Sequence, residues 1–185
     1  MASVTDIANA ALLRVGDESI ISLTDSTERA RACNTAWPIV RREVLRAHSW
    51  NSVTTRTKLA ALTTAPSWGF ATAYELPADC LSLLEVDTDS DWRVEGSQIV
   101  TDATGELGIR YLKDEEDTEQ YDGMLTEVMV LRLAVEVCER ITTTNTKREA
   151  LLVEYDALLG DARSADGSES SPAEYEEDYW MTVRY

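Results

Sequence analysis

Before Trp50, apolar positions recur every three or four residues, which is the spacing of one helix face. This spacing predicts a first helix over residues 3–15, with Ser3 as its capping residue and Gly16 at its end. A second helix is predicted over residues 26–48. Pro38 should kink this helix or begin its second half, because proline lacks an N–H and clashes with the preceding turn.

After Trp50 the period changes to short segments rich in β-branched and aromatic residues, separated by Pro, Gly and Asp turn signals. Two of these segments, residues 91–95 and 98–101, flank Gly96 and form a candidate hairpin. Together the segments predict one small antiparallel β-sheet inserted between helices. They comprise residues 53–59, 70–76, 81–86, 91–95, 98–101 and 107–112.

Helical spacing returns in residues 122–144, where Asp122 can cap the helix and apolar positions cover a wide arc. Such a helix is either the central one of a bundle or presents a second face to another protein. We assign part of the arc to an inter-subunit interface, comprising Met124, Met129, Leu133 and Val137. A fourth helix is predicted over residues 147–163.

The C-terminal residues are polar and acidic but end in an aromatic group. Such a tail docks either on its own core or on a neighbouring chain. Aromatic side chains bury a large area with few rotatable bonds, which favours them as interface anchors. We therefore predict that docking on a neighbouring chain involves Tyr179, Trp180, Met181, Arg184 and Tyr185.

These segments predict an α+β fold that is mainly α. An antiparallel helical bundle would be formed by residues 1–52 and 120–164, as a discontinuous domain. Residues 53–119 would form a β-rich insertion, and residues 165–185 an extended C-terminal docking tail.

Charge narrows the possible functions. The chain has 17 Lys and Arg against 34 Asp and Glu, a net charge of −17 at pH 7. Residues 75–122 hold three basic and fifteen acidic side chains, a net charge of −12. Proteins that bind nucleic acid by neutralising its phosphates need clustered Lys and Arg. The acidic balance excludes this class of nucleic-acid-binding protein. The acidic residues form either a solvated face or a surface that repels or mimics DNA.

The sequence shows no pattern of catalytic or metal-ligating residues. The single histidine, His48, is expected to be structural, and the nucleophile, phosphate-loop and zinc-helix motifs are missing. The three cysteines are widely spaced without a CxxC pair, which predicts neither disulfides nor zinc. We therefore predict a protein without catalytic residues, cofactor, metal or membrane span, made in the cytoplasm.

Two sequence motifs carry a resemblance to a known family. Residues 45–51 are LRAHSWN and residues 74–81 are YELPADCL. With the opening segment 11–23 and the terminal segment 178–184, these motifs resemble the head–tail adaptor (tail tubular protein A) family of short-tailed, T7-like bacteriophages. One departure is Ser49, where members of the family tend to have proline.

The resemblance implies a structural subunit of the phage tail or neck in the virion, made in the host cytoplasm. It implies a homo-oligomeric ring, a dodecamer, between the portal protein and a tail nozzle similar to tail tubular protein B. DNA would pass through the ring without specific binding. Two alternatives stay open at this point: an acidic DNA-mimic inhibitor, and a tail-associated glycan hydrolase, for which no acid–base pair is identifiable.

Overall fold

The computed structural model describes residues 2–142 and 145–169, apart from the side chains of Thr142 and Asn145. The fold is α+β, as the sequence predicts. The helices are α1 (Val4–Val15), α2 (Glu28–Ala47), α3 (Gly123–Thr142) and α4 (Asn145–Ser168). The strands are β1 (Thr54–Leu59), β2 (Thr72–Glu75), β3 (Cys80–Asp87), β4 (Trp92–Glu95), β5 (Gln98–Thr101) and β6 (Leu107–Lys113).

Local capping chemistry fixes the ends of α1. The Ser3 side chain accepts from the Asp6 backbone N–H, and the Asp6 carboxylate accepts from the Ser3 backbone, which completes a capping box. Gly16 ends the helix at φ 87°, a left-handed conformation that L side chains rarely adopt. The connection to α2 is then held against α1, because the Asn9 amide bonds both the N–H and the C=O of Ile20.

Helix α3 is the central helical element, and it corrects the predicted inter-subunit interface. It packs against α1, α2 and α4. Met129, Leu133 and Val137 are at most 2% exposed and belong to the main hydrophobic cluster of the chain. They therefore present no surface to a neighbour, and Met124 is itself partly buried against the same cluster. The wide apolar arc is covered by three helices of the same subunit.

The six predicted strands are all present, but they form two sheets instead of one. The first sheet has the order β1-β6-β3 and the second β2-β5-β4, both antiparallel. They share a second apolar cluster that includes Tyr74, Ile99 and Ile109. Two register shifts interrupt the pairing of β3 with β6. Local pattern predicts a strand but not its partner, because pairing depends on contacts distant in sequence.

A buried ion pair joins α2 to the chain after β6. The Arg41 guanidinium donates from Nε and Nη2 to Oδ1 of Asp114, at 3.1 and 2.8 Å. Arg42 Nε donates to the second oxygen of the same carboxylate at 2.8 Å. The Arg41 side chain is only 6% exposed, so removing Asp114 would leave a buried charge without its main partner.

Helix α4 extends further than predicted, which corrects the start of the tail. The predicted tail began at residue 165, yet α4 continues to Ser168. Asp166 lies within it and is 6% exposed. The five predicted docking residues at 179–185 lie outside the described residues.

Candidate functional site

The β region carries exposed aromatic and apolar side chains at two places. Trp68, in the connection between β1 and β2, is 88% exposed, and Trp92 and Val94 on β4 are 40% and 46% exposed. Buried aromatic side chains would stabilise the subunit, whereas these tryptophans face solvent. Exposed apolar side chains are candidates for contacts with another molecule.

A cleft lies between the β1–β2 connection and the β2-β5-β4 sheet. Its volume is about 590 Å³, and its walls include Pro66, Trp68 and Phe70 on one side and Glu75, Arg93 and Glu95 on the other. Val100, at the base of the cleft, is 3% exposed. The cleft therefore combines aromatic walls with charged rims.

The two edges of this sheet differ. At β2, the preceding chain covers the edge, since Ala61 bridges Tyr74 and the Leu62 N–H donates to the Ala73 carbonyl at 2.8 Å. At β4, all four residues are exposed and no strand of the described chain lies beyond it. The β4 edge is therefore open.

The open edge lies in an acidic environment. Residues 85–106 contain seven carboxylates and one guanidinium, a net charge of −6. Glu85 and Glu106 are paired with Arg110 and Lys58. The remaining acids next to β4 include Asp89 and Asp91, for which no ion pair occurs among the described residues. A ligand of this edge would meet an uncompensated negative field.

Glu75 beside the cleft and Cys33 in the helical core are two potentially reactive side chains of the described residues. The Glu75 carboxylate accepts from Ser97 Oγ at 2.9 Å and from Gln98 Nε2 at 3.1 Å, so it is engaged in contacts within its own sheet. Burial raises the pKa of the Cys33 thiol to about 11, with a contribution from Asp17, which disfavours the nucleophilic thiolate. Within residues 2–142 and 145–169, no cluster of His, Cys, Asp and Glu is arranged to hold a metal ion.

The LRAHSWN motif has a structural role that involves Asp166. Trp50 is fully buried, and its Nε1 donates to the Val44 carbonyl at 2.9 Å. His48 Nε2 lies 3.0 Å from Asp166 Oδ2, while the Asn51 N–H donates to Asp166 Oδ1 at 2.9 Å. The Asn51 amide also donates to the Asp166 carbonyl. The motif therefore holds the last turns of α4.

Asp166 is not among the predicted site residues, because it falls in residues 165–185, which are predicted to form the tail. A usable signal was present in the apolar positions of α4, where Leu159 and Ala162 continue the helical spacing toward residue 166. An acid one turn after Ala162, in a chain with a single histidine, is a candidate partner for that histidine.

The YELPADCL motif organises the β-sheets. Tyr74 is fully buried and its hydroxyl donates to the carbonyls of Ala103 and Gly105, at 3.2 and 3.0 Å. The Cys80 N–H donates to the Pro77 carbonyl, which closes the turn into β3. Asp79 accepts from the Tyr111 hydroxyl at 3.2 Å. The motif thus links β2, β3 and β6 and the loop before β6.

The comparisons with known proteins do not assign the chain to a family. No protein-family model matches it, and no curated protein matches it. Among the described residues, no helix combines the length and apolarity needed to cross a membrane.

Proposed function

We propose that the chain is a head–tail adaptor subunit of a tailed phage virion, without enzymatic activity. In this proposal, an antiparallel helical bundle and an extended C-terminal tail assemble as a ring between the portal protein and the tail nozzle. The ring is a dodecamer through which DNA passes without specific binding.

The observation that carries the proposal is the placement of the two family-like motifs. LRAHSWN joins the end of α2 to the end of α4 through Asp166. YELPADCL joins strands of both sheets. The residues that carry the resemblance therefore make defined tertiary contacts, as expected of motifs that hold a fold together.

The distribution of exposed apolar side chains also supports assembly. A ring needs a heterologous interface, with two different patches on each subunit. Ile39 on α2 is 66% exposed and Val153 on α4 is 72% exposed. Trp68 and Trp92 lie in the β region, so the subunit has apolar surface on both of its parts.

The experiment is native mass spectrometry and cryo-electron microscopy of the subunit mixed with the portal ring of its own phage. We expect many copies bound to one portal ring, arranged with its rotational symmetry. A strict one-to-one heterodimer, or no association, would contradict the proposal. Ile39→Asp, a change at an exposed position, should weaken assembly and preserve the fold. Arg31→Asp, at an exposed position of the same helix, is the matched control and should leave assembly unchanged.

A further inference from the structure

The main-chain groups of β4 have a defined orientation toward the open edge. β4 and β5 are joined by Gly96 and Ser97, a two-residue turn, so Glu95–Gln98 and Arg93–Val100 form the hydrogen-bonded pairs of the ladder. The N–H and C=O groups of Trp92 and Val94 therefore point away from β5. These residues also carry the exposed apolar side chains.

The devices that commonly block an open edge are missing from β4. It contains neither proline nor lysine, and its pairing with β5 is regular over all four residues, without a bulge. Within the described part of the chain, β4 is protected by its short length and by the charges of Arg93 and Glu95. Because antiparallel pairing continues naturally along such an edge, a further strand can add to it.

We propose that an extended, Lys- or Arg-bearing segment of a partner protein adds to β4 as a fourth strand of the β2-β5-β4 sheet. The partner would pair with the outward groups of Trp92 and Val94. This inference goes beyond the adaptor role, since it concerns the surface of a single subunit and holds whether or not a ring forms.

Side-chain alternation defines the chemistry of the partner. A partner residue opposite Val94 lies on the face of the sheet that carries the Val94 and Trp92 side chains. An apolar partner residue therefore fits at that position. Residues opposite Arg93 and Glu95 lie on the other face, where both line the cleft next to Trp68. A lysine or arginine opposite Glu95 finds a carboxylate without an ion pair among the described residues and an aromatic wall.

Charge argues against a second copy of the chain as the added strand. Pairing two β4 edges would bring together two segments that each have a net charge of −6 over residues 85–106. Like charges at short range oppose such pairing. A basic segment instead gains from the same field, which favours a different protein as the partner.

The test uses the full-length, isotope-labelled chain and two acetylated nonapeptides of equal length, one alternating Lys and Val and the other alternating Glu and Val. Amide hydrogen exchange is measured by NMR. We expect the Lys peptide to slow exchange at Trp92 and Val94 by about tenfold and the Glu peptide to have no effect. High salt should weaken the effect of the Lys peptide.

Two variants separate main-chain pairing from apolar contact. Val94→Pro removes an N–H that lies outside the β4–β5 ladder, so the fold should persist while peptide protection is lost. Val94→Thr keeps the N–H and should keep most of the protection. Should Val94→Pro fail to fold, the residue-resolved protection of the unmodified chain decides the question.

Three results would overturn the proposal. One is protection by neither peptide, or equal protection by both. Another is protection that maps to other residues and leaves Trp92 and Val94 unchanged. The last is concentration-dependent protection of β4 without peptide, which would make a second copy the occupant. None of these results affects the outcome of the portal experiment. A failure of the β4 proposal can therefore be distinguished from a failure of the adaptor proposal.

Discussion

Asp166 shows how a single residue can join the end of α2 to the end of α4. Its carboxylate contacts the imidazole of His48 through one oxygen and the Asn51 N–H through the other. Both contacts lie close to the position where the C-terminal segment begins. Asp166 thus holds the last turns of α4 against the residues that follow α2.

The first prediction concerns Asp166→Ala. The change leaves the Asn51 N–H and the His48 ring without their acceptor, so the free energy of unfolding should fall by about 1–3 kcal/mol. Urea unfolding followed by circular dichroism measures the change. Asp161→Ala, at an exposed position of the same helix, is the control and should change stability by less than about 0.5 kcal/mol. Equal effects of the two substitutions would show that the contact does not hold α4.

A second prediction concerns pH and the pair formed by Lys113 and Glu115. Lys113 Nζ donates to Glu115 Oε2 at 2.7 Å, and this bond is the main reason that the pKa of Glu115 lies below its ordinary value of 4.5. The same bond raises the pKa of Lys113 above 10.5. A lowered carboxyl pKa stabilises the fold above the unfolded value, and that stability is lost as the pH falls through the folded value.

Lys113→Met should therefore lower the melting temperature at neutral pH by about 1–2 °C. The difference from the unmodified chain should shrink below about pH 4.5, as Glu115 becomes protonated, and again above about pH 10.5, as Lys113 loses its proton. Thermal unfolding at pH 3, 7 and 11 tests this. A difference that stays constant across these conditions would contradict the pairing.

At the scale of elements, two glycines have opposite roles. Gly108 lies in β6, the central strand of its sheet, where an added Cβ would meet the Asp87 Cβ at 3.0 Å. Gly160 lies inside α4, where an added Cβ would meet nothing within 4 Å. A methyl group at Gly108 would therefore require Asp87 to move by a few tenths of an ångström, whereas α4 gains nothing from its glycine.

The third prediction follows from this contrast. Gly108→Ala should destabilise the protein by about 1–3 kcal/mol, because the strands must shift to fit the methyl group. Gly160→Ala should stabilise it by about 0.5–1 kcal/mol through a lower entropy of the unfolded chain. Equilibrium unfolding of both variants in urea measures the difference. A stabilising Gly108→Ala would mean that β3 and β6 are not packed as closely as described.

At the scale of the whole molecule, the fourth prediction concerns the C-terminal residues. Deleting residues 173–185 should leave the melting temperature of the isolated subunit nearly unchanged but abolish its docking to portal, since we assign Trp180 and its neighbours to a contact with another chain. Trp180→Ala is the matched point variant and should weaken docking by about tenfold or more. A deletion that unfolds the subunit would place these residues in its own core.

The fifth prediction concerns the net charge of the assembly. A ring of about twelve subunits, each with a charge of −17, would carry about −200, and its repulsion opposes closure. Ring formation should therefore increase with salt, whose Debye length is about 8 Å at physiological ionic strength. Sedimentation velocity between low and high salt measures the ring fraction. Rings that dissociate as salt is added would show that attraction between opposite charges governs closure.

The sequence alone determined the secondary structure and the fold class. Helical spacing located the four α-helices of the described residues, and capping residues placed both ends of α1, because these signals act within a few residues. Turn residues and β-branched segments located all six strands. The C-terminal boundary of α4 was the exception. Its last turn is held by His48 and Asn51, which are far away in sequence.

Only the tertiary structure decided which surfaces were available. The apolar arc of α3 was compatible with either a subunit interface or a central helix of a bundle. The helix is central, because α1, α2 and α4 pack against it. The division into two sheets and the open edge of β4 depend on which strand pairs with which. Pairing and burial are set by contacts between distant residues, so no local pattern of hydrophobic and polar positions contains them.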